Sequence, residues 1–265
     1  MREQFLEQAK ARGPHGINHL RELLQWEILA ALHSAEAFKE VAFVGGTCLR
    51  LVHGLHRFSE DLDFSAQKPG ELALACWTRH VEKHLGDCDL ADVEVTGKNA
   101  GASVASVWVK FPSLLNELGA SAMPTQKLGI KLEFDANPPR GATFERHVVS
   151  SPRLMALTTH DLPSLMAGKL HAILARPYTK GRDWYDLVWY LGRRTEPNLT
   201  MLDAALGQIP SPWCKTATDW KAGVLSAARA ANWAQVQRDV GPFLEIAGEI
   251  DMLDQNVVAD VLKGY

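Results

Sequence analysis

The chain has 265 residues, 46% of them hydrophobic, with 28 Lys and Arg against 31 Asp and Glu for a net charge of −3. That is enough apolar material for one large or two modest domains, and too little positive charge to hold a polyanion by global attraction, so nucleic-acid contact would need a local patch. Cys48, Cys76, Cys88 and Cys214 show no CxxC or CxxH spacing, which argues against a zinc ribbon or a disulfide framework, and no apolar run approaches the roughly 18 residues of a membrane span. The charged N-terminus MREQFLEQAKARG lacks the apolar core of a signal peptide, so a cytoplasmic protein is expected.

In chain order, apolar positions at helical spacing predict a long helix over 17–40, after the punctuation of Gly13, Pro14 and Gly16. VAFV at 41–44 predicts a buried strand, Gly45 and Gly46 a tight turn, TCLRLVHGL a helix and RFSEDLDFS the next strand. A helix over 70–85 and three strands, ADVEVTG, SVASVWVKF and KLGIKLEFDAN, follow. From about 150 the pattern turns helical, with helices expected over 160–176, 181–194, 200–208, 213–231 and 233–248 and no further strand. The expected class is α+β: an N-terminal helix and a small mixed sheet with flanking helices over 1–150, then a helical bundle over 151–265. The absence of a coiled-coil repeat favours a monomer.

In this frame the most informative stretch is FVGGTCLRLVHGLHRFSEDLDF. Strand alternation places Asp61 and Asp63 on one face and Leu62 and Phe64 on the other. Two adjacent carboxylates repel unless a cation lies between them, although a solvated edge strand would also carry them. The glycine pair before a helix offers close approach and free N–H groups to a phosphate; a plain turn is the simpler alternative. Magnesium takes one or two carboxylates plus phosphate oxygens, so turn and acids together read as a phosphate-plus-metal site. A third carboxylate is sought in GIKLEFD, where Lys131, Glu133 and Asp135 share a face; Glu133, at its middle, is preferred, against an ordinary amphipathic strand.

Further on, Lys169 sits on an otherwise apolar helix and is either paired with an anion or snorkelling. Arg176, Lys180 and Arg182 add positive charge, Asp183 opens a helix where a carboxylate also suits the dipole, and Asp186 is expected to pair with Arg182 or Arg193. Several histidines, including His80 and His84 at i, i+4, lack a third ligand, which argues against zinc.

GGTCLRLVHGLHRFSEDLDF, KLEFD and GKLHAILARPYTKGRDWYDL together resemble the AbiEii/AbiGii nucleotidyltransferase toxins of type IV toxin–antitoxin systems, within the DNA polymerase β-like nucleotidyltransferase superfamily. The resemblance spans roughly 40–195. It implies that Gly45, Gly46 and Thr47 hold nucleotide phosphates, aided by Arg57, Ser59, Lys131, Lys169 and Arg182. Asp61, Asp63 and Glu133 would bind Mg²⁺, or Mn²⁺ in its place, and Lys169 and Asp183 would complete the catalytic set. The implied reaction moves a nucleotide from an NTP to an RNA acceptor, the 3′ end of tRNA, with an antitoxin partner relieving the block on translation, in some systems by phosphorylating a hydroxyl such as that of Thr47 or Ser59. The same residues would also serve a protein or small-molecule acceptor, and a nucleotide-sensing module without catalysis is the non-enzymatic alternative.

Overall fold

The computed structural model describes residues 1–98, 103–150 and 152–265. These form two compact units that interleave along the chain. The first comprises Met1–His53, Phe58–Pro138 and Arg146–Thr159; the second comprises Gly54–Arg57, Pro139–Glu145 and His160–Tyr265. Each unit therefore draws on both sides of the boundary expected at 150/151, and position 151 itself lies outside the described residues.

The first unit begins with helices α1 (Arg2–Lys10) and α2 (Gly16–Ser34), the latter shorter than the 17–40 expectation because the chain tightens into a single turn over Ala37–Lys39. Leu20, Leu24 and Ile28, one helical turn apart, are fully buried along α2. Strand β1 (Val41–Val44), helix α3 (Gly45–His53), strand β2 (Leu62–Ala66) and helix α4 (Leu74–Asp87) follow, then β3 (Glu94–Lys98), β4 (Val104–Phe111), the short α5 (Leu114–Glu117), β5 (Leu128–Asp135), and most of β6 (Phe144–Val149) and β7 (Met155–His160), of which Phe144, Glu145 and His160 count with the second unit. The seven strands lie in the order β3-β4-β5-β2-β1-β7-β6. β1 runs antiparallel to β2 and parallel to β7, while β2 runs parallel to β5, so the sheet is mixed.

Two strands escaped the sequence reading. β6 ends the sheet with a mostly exposed FERHVV, whose weak alternation gives no buried face to detect, and β7 falls where a helical series was expected. Elsewhere the alternation holds: Leu128, Ile130, Leu132 and Phe134 of β5 are buried while the residues between them are not. Phe134 stacks on Phe64 at 4.8 Å, and Phe64 meets Phe43 at 5.6 Å. Each of these buried rings is worth about 2 kcal/mol in removed apolar surface.

The second unit is built from α6 (Leu162–Ala175), α7 (Gly181–Gly192), α8 (Leu199–Gln208), α9 (Trp220–Ala230), α10 (Trp233–Val240) and α11 (Gln255–Gly264). Side-chain caps fix several starts: Asp161 accepts from the Ser164 N–H, Asn198 from Met201, Asn232 from Gln235, and Asp254 from Asn256 and Val257. The helix expected over 233–248 stops at Val240 ahead of Gly241-Pro242, the one expected from 213 starts only at Trp220, and α11 was not foreseen.

Candidate active site

In the first unit the acidic strand lies at the middle of the sheet, which removes the solvated-edge alternative. Asp63 stands beside Val44 of β1 on one side and beside Glu133 of β5 on the other, and Asp61 directly precedes β2. Asp61, Asp63 and Glu133 are all half-buried. Gly45 has φ +77°, a backbone that L side chains rarely adopt, and a Cβ there would overlap the Asp63 carboxylate. Glycine is thus needed at this position for two independent reasons, and its absence of side chain brings the start of α3 against the acid.

Thr47 is fully buried and its hydroxyl donates to the main-chain carbonyl of Asp61, tying the first turn of α3 to the acidic strand. Its side chain is therefore a brace, and what it can offer a phosphate is its main-chain N–H. Ser59 is half-exposed; its carbonyl, with that of Glu60, accepts from the buried amide of Gln25 at 3.1 and 3.0 Å. Of the two hydroxyls considered for phosphorylation, only that of Ser59 is reachable in the folded chain.

Lys131 donates to Glu133 Oε1 at 2.6 Å. That hydrogen bond, with further attraction from Asp61 and Asp63, holds the Lys131 pKa above the usual lysine value. The ammonium thus balances part of the negative field of the three acids. The donors are hard carboxylate oxygens, the set Mg²⁺ and Mn²⁺ prefer. Asp61 and Asp63 offer donors of this kind, while Glu133 is held by Lys131.

The second unit holds the predicted Lys169 and Asp183 in one charged knot. Lys169 Nζ lies 2.9 Å from both Asp183 Oδ1 and Asp186 Oδ2, and Arg176 also binds the Asp183 carboxylate. Burial disfavours the ammonium of Lys169, but Asp183 and Asp186 outweigh it and its pKa is raised. Burial likewise opposes the Asp183 carboxylate, yet Lys169 and Arg176 prevail and its pKa is lowered. Both groups are therefore charged at neutral pH, which excludes the snorkelling alternative for Lys169.

Arg57 is drawn into this knot. Expected among the nucleotide-binding residues, it is 1% exposed and bidentate on Asp186, with Nε at 2.6 Å from one oxygen and Nη2 at 2.7 Å from the other. A guanidinium buried in this way holds the carboxylate through two of its donors, a pairing that serves the fold of the unit. It is Arg57, with Lys169, that neutralises Asp186, in place of the expected Arg182 or Arg193. The Arg182 guanidinium lies 4.5 Å above the ring of Phe243.

The family model described as "Nucleotidyl transferase AbiEii toxin, Type IV TA system" matches residues 27–246. The chain belongs to the AbiEii family. No curated protein sequence matches it. Among solved structures, one described as a putative nucleotidyltransferase from H. pylori is 19% identical with a TM-score of 0.51, over 91% of this chain and 89% of the other; at that identity the likeness speaks for the shared α+β fold. JHP933 from Helicobacter pylori (17% identity, TM-score 0.49, covering 92% and 86%) and the nucleotidyltransferase toxin MenT4 from Mycobacterium tuberculosis H37Rv (17%, 0.49, covering 98% and 99%) are also similar. As an AbiEii protein the chain is a nucleotidyltransferase and a toxin of the type IV kind, which removes the non-enzymatic alternative.

Sequence reasoning missed a further cluster in this AbiEii chain. Glu27, His84 and Cys88 present ligand atoms all within 4.8 Å of one another, a group that could hold a metal ion. The Glu27 carboxylate is already met by His84 Nε2 at 2.9 Å and by Arg153 at 2.9 and 3.1 Å. His80, the expected partner of His84, instead faces the Cys76 carbonyl at 2.9 Å. The signal was the i, i+4 pair His84 and Cys88; the third member stands 57 residues from His84, beyond the reach of local spacing. Among the described residues no helix is long and apolar enough to cross a membrane.

Proposed function

We propose that this AbiEii toxin transfers a nucleotide from an NTP to an RNA acceptor, the 3′ end of tRNA, and so blocks translation in the cytoplasm until a cognate antitoxin relieves it. The observation that carries this reading is the junction of β1, α3 and β2: Gly45 lies against the Asp63 carboxylate, and Asp63 is in register with Glu133. A phosphate-holding backbone beside hard carboxylates is what nucleotidyl transfer requires of a protein, because the chemistry is mostly positioning and charge neutralisation.

In this reading the N–H groups of Gly45, Gly46 and Thr47 hold phosphate oxygens, and Asp61 and Asp63, joined by Glu133, hold Mg²⁺. The bound ion would neutralise charge on the α-phosphate and the departing pyrophosphate. The acceptor hydroxyl forms the new O–P bond as the bond to pyrophosphate breaks, and its proton passes to a carboxylate of the acidic strands. Lys169 and Arg182 supply positive charge for the triphosphate, with Asp183 as the late acid; the double pairing of Lys169 with Asp183 and Asp186 supports a part in fixing Asp183 as well.

Incubating the purified protein with total tRNA, Mg²⁺ and each α-labelled NTP in turn, beside Asp63→Ala, tests the reading. Label entering tRNA with the wild type alone is expected. Folded wild type that labels no RNA with any NTP would refute the RNA acceptor and turn attention to protein or small-molecule acceptors.

A further inference from the structure

The link between α6 and α7, RPYTK at 176–180, borders a cavity of about 160 Å³ in the second unit, of whose lining the transfer reading uses Asp183 but neither the exposed rings nor Lys180. Arg176, Tyr178, Lys180 and Asp183 line it from the link and the start of α7, together with Trp213 and Ala227. Two of these are exposed aromatics, Tyr178 at 64% and Trp213 at 37%. Water-exposed rings around a cavity are surfaces on which another flat π system stacks.

The charges point the same way. Asp183, the acid of the lining, already holds Lys169 and Arg176. The Lys180 ammonium forms no hydrogen bond or ion pair among the described residues, although its carbonyl accepts from the Asp183 N–H at 3.0 Å. Partial burial and the neighbouring Arg182 push its pKa down against the weaker attraction of Asp183, so its charged form would be stabilised by an incoming anion. Besides Arg176, which is paired with Asp183, the cavity therefore offers one cation and two exposed aromatic rings. Its volume lies below the about 300 Å³ at which pockets begin to enclose drug-sized ligands, and one uncompensated ammonium suits one phosphodiester better than a triphosphate.

We propose that this cavity receives one nucleotide of the acceptor RNA strand, its base stacked on Tyr178 or Trp213 and its phosphodiester on Lys180. This rests on the RNA-acceptor reading above and adds the place where the strand is gripped.

The test measures binding of a short fluorescein-labelled single-stranded oligoribonucleotide by anisotropy across a salt series, alongside NTP-dependent pyrophosphate release, for wild type, Tyr178→Ala, Lys180→Gln and Lys180→Arg. Tyr178→Ala should weaken oligonucleotide binding roughly 10-fold, the loss expected from one base–aromatic stack. Lys180→Gln should lower the slope of log K against log salt by about 0.7, the single-strand value for one phosphate contact, and Lys180→Arg should restore it. The KM for NTP should stay as in wild type. Unaltered oligonucleotide binding by folded Tyr178→Ala and Lys180→Gln, or a rise in the KM for NTP in its place, would overturn the proposal while leaving nucleotidyl transfer standing. Wild type that releases pyrophosphate yet binds no oligonucleotide would overturn it too, and loss of RNA labelling in the tRNA assay would remove the reading beneath it.

Discussion

Replacing Arg57 by Met separates the two roles that its position allows. Asp186 is wholly buried and held by Arg57 at 2.6 and 2.7 Å and by Lys169 at 2.9 Å. Removing one partner of a buried pair costs roughly 3–5 kcal/mol, because a desolvated charge is left behind. Lys169 remains on the same carboxylate, so the loss should fall at the lower end, about 3 kcal/mol. With an m-value of about 2 kcal/mol per molar urea, the unfolding midpoint drops by roughly 1.5 M. Tryptophan fluorescence reads this well, since Trp184, Trp189, Trp213, Trp220 and Trp233 all belong to the second unit. Combining Arg57→Met with Asp186→Asn should cost less than the sum of the single changes by about 1–3 kcal/mol. Below the transition the folded Arg57→Met enzyme should keep its KM for NTP. An unmoved midpoint together with a tenfold higher KM would sink this account and return Arg57 to the nucleotide.

Gly45→Ala should cut pyrophosphate release at least tenfold through displacement of Asp63, with about 1–2 kcal/mol of stability lost to the positive φ; a variant as active as wild type in a coupled phosphate assay would refute the close-approach argument. Lys131→Met should lower the Mg²⁺ concentration for half-maximal activity and Glu133→Gln raise it, measured by metal titration, if the ammonium competes for Glu133. His160, whose pKa burial pushes down to about 4, binds no proton in the folded chain over the window in which the unfolded chain takes one up. Stability should therefore fall as pH drops from about 6.5 toward 4, by up to about 3 kcal/mol, and urea midpoints of His160→Leu should show a shallower fall.

The acidic centre of the first unit was readable because strand alternation is local: LDF and KLEFD declare their faces within a few residues, and the register that joins Asp63 to Glu133 follows once both strands are buried on one side. The fate of the arginine was not readable. Arg57 and Asp186 are 129 positions apart, and nothing in RFSEDLDF distinguishes a guanidinium meant for phosphate from one meant for a buried acid. Lys169 was caught by its oddity on an apolar helix, yet its two partners, 14 and 17 residues on, could be named only from the structure. β6 stayed hidden because it buries almost nothing, and α11 because its start depends on the Asp254 cap and the irregular turns that precede it.

The interleaving of the two units has a practical consequence for anyone who would divide this chain. Each unit is assembled from three segments, so the polypeptide passes from one to the other five times. A fragment beginning at His160 would carry Asp186 and Lys169 but neither Arg57 nor residues 139–145, and its central acid would lack its guanidinium. During synthesis, too, Arg57 emerges early and waits for Asp186. Truncation is thus a poor way to apportion tasks within this toxin; point substitution in the intact chain, or a split in which the missing segments are supplied as peptides, respects how it is wired.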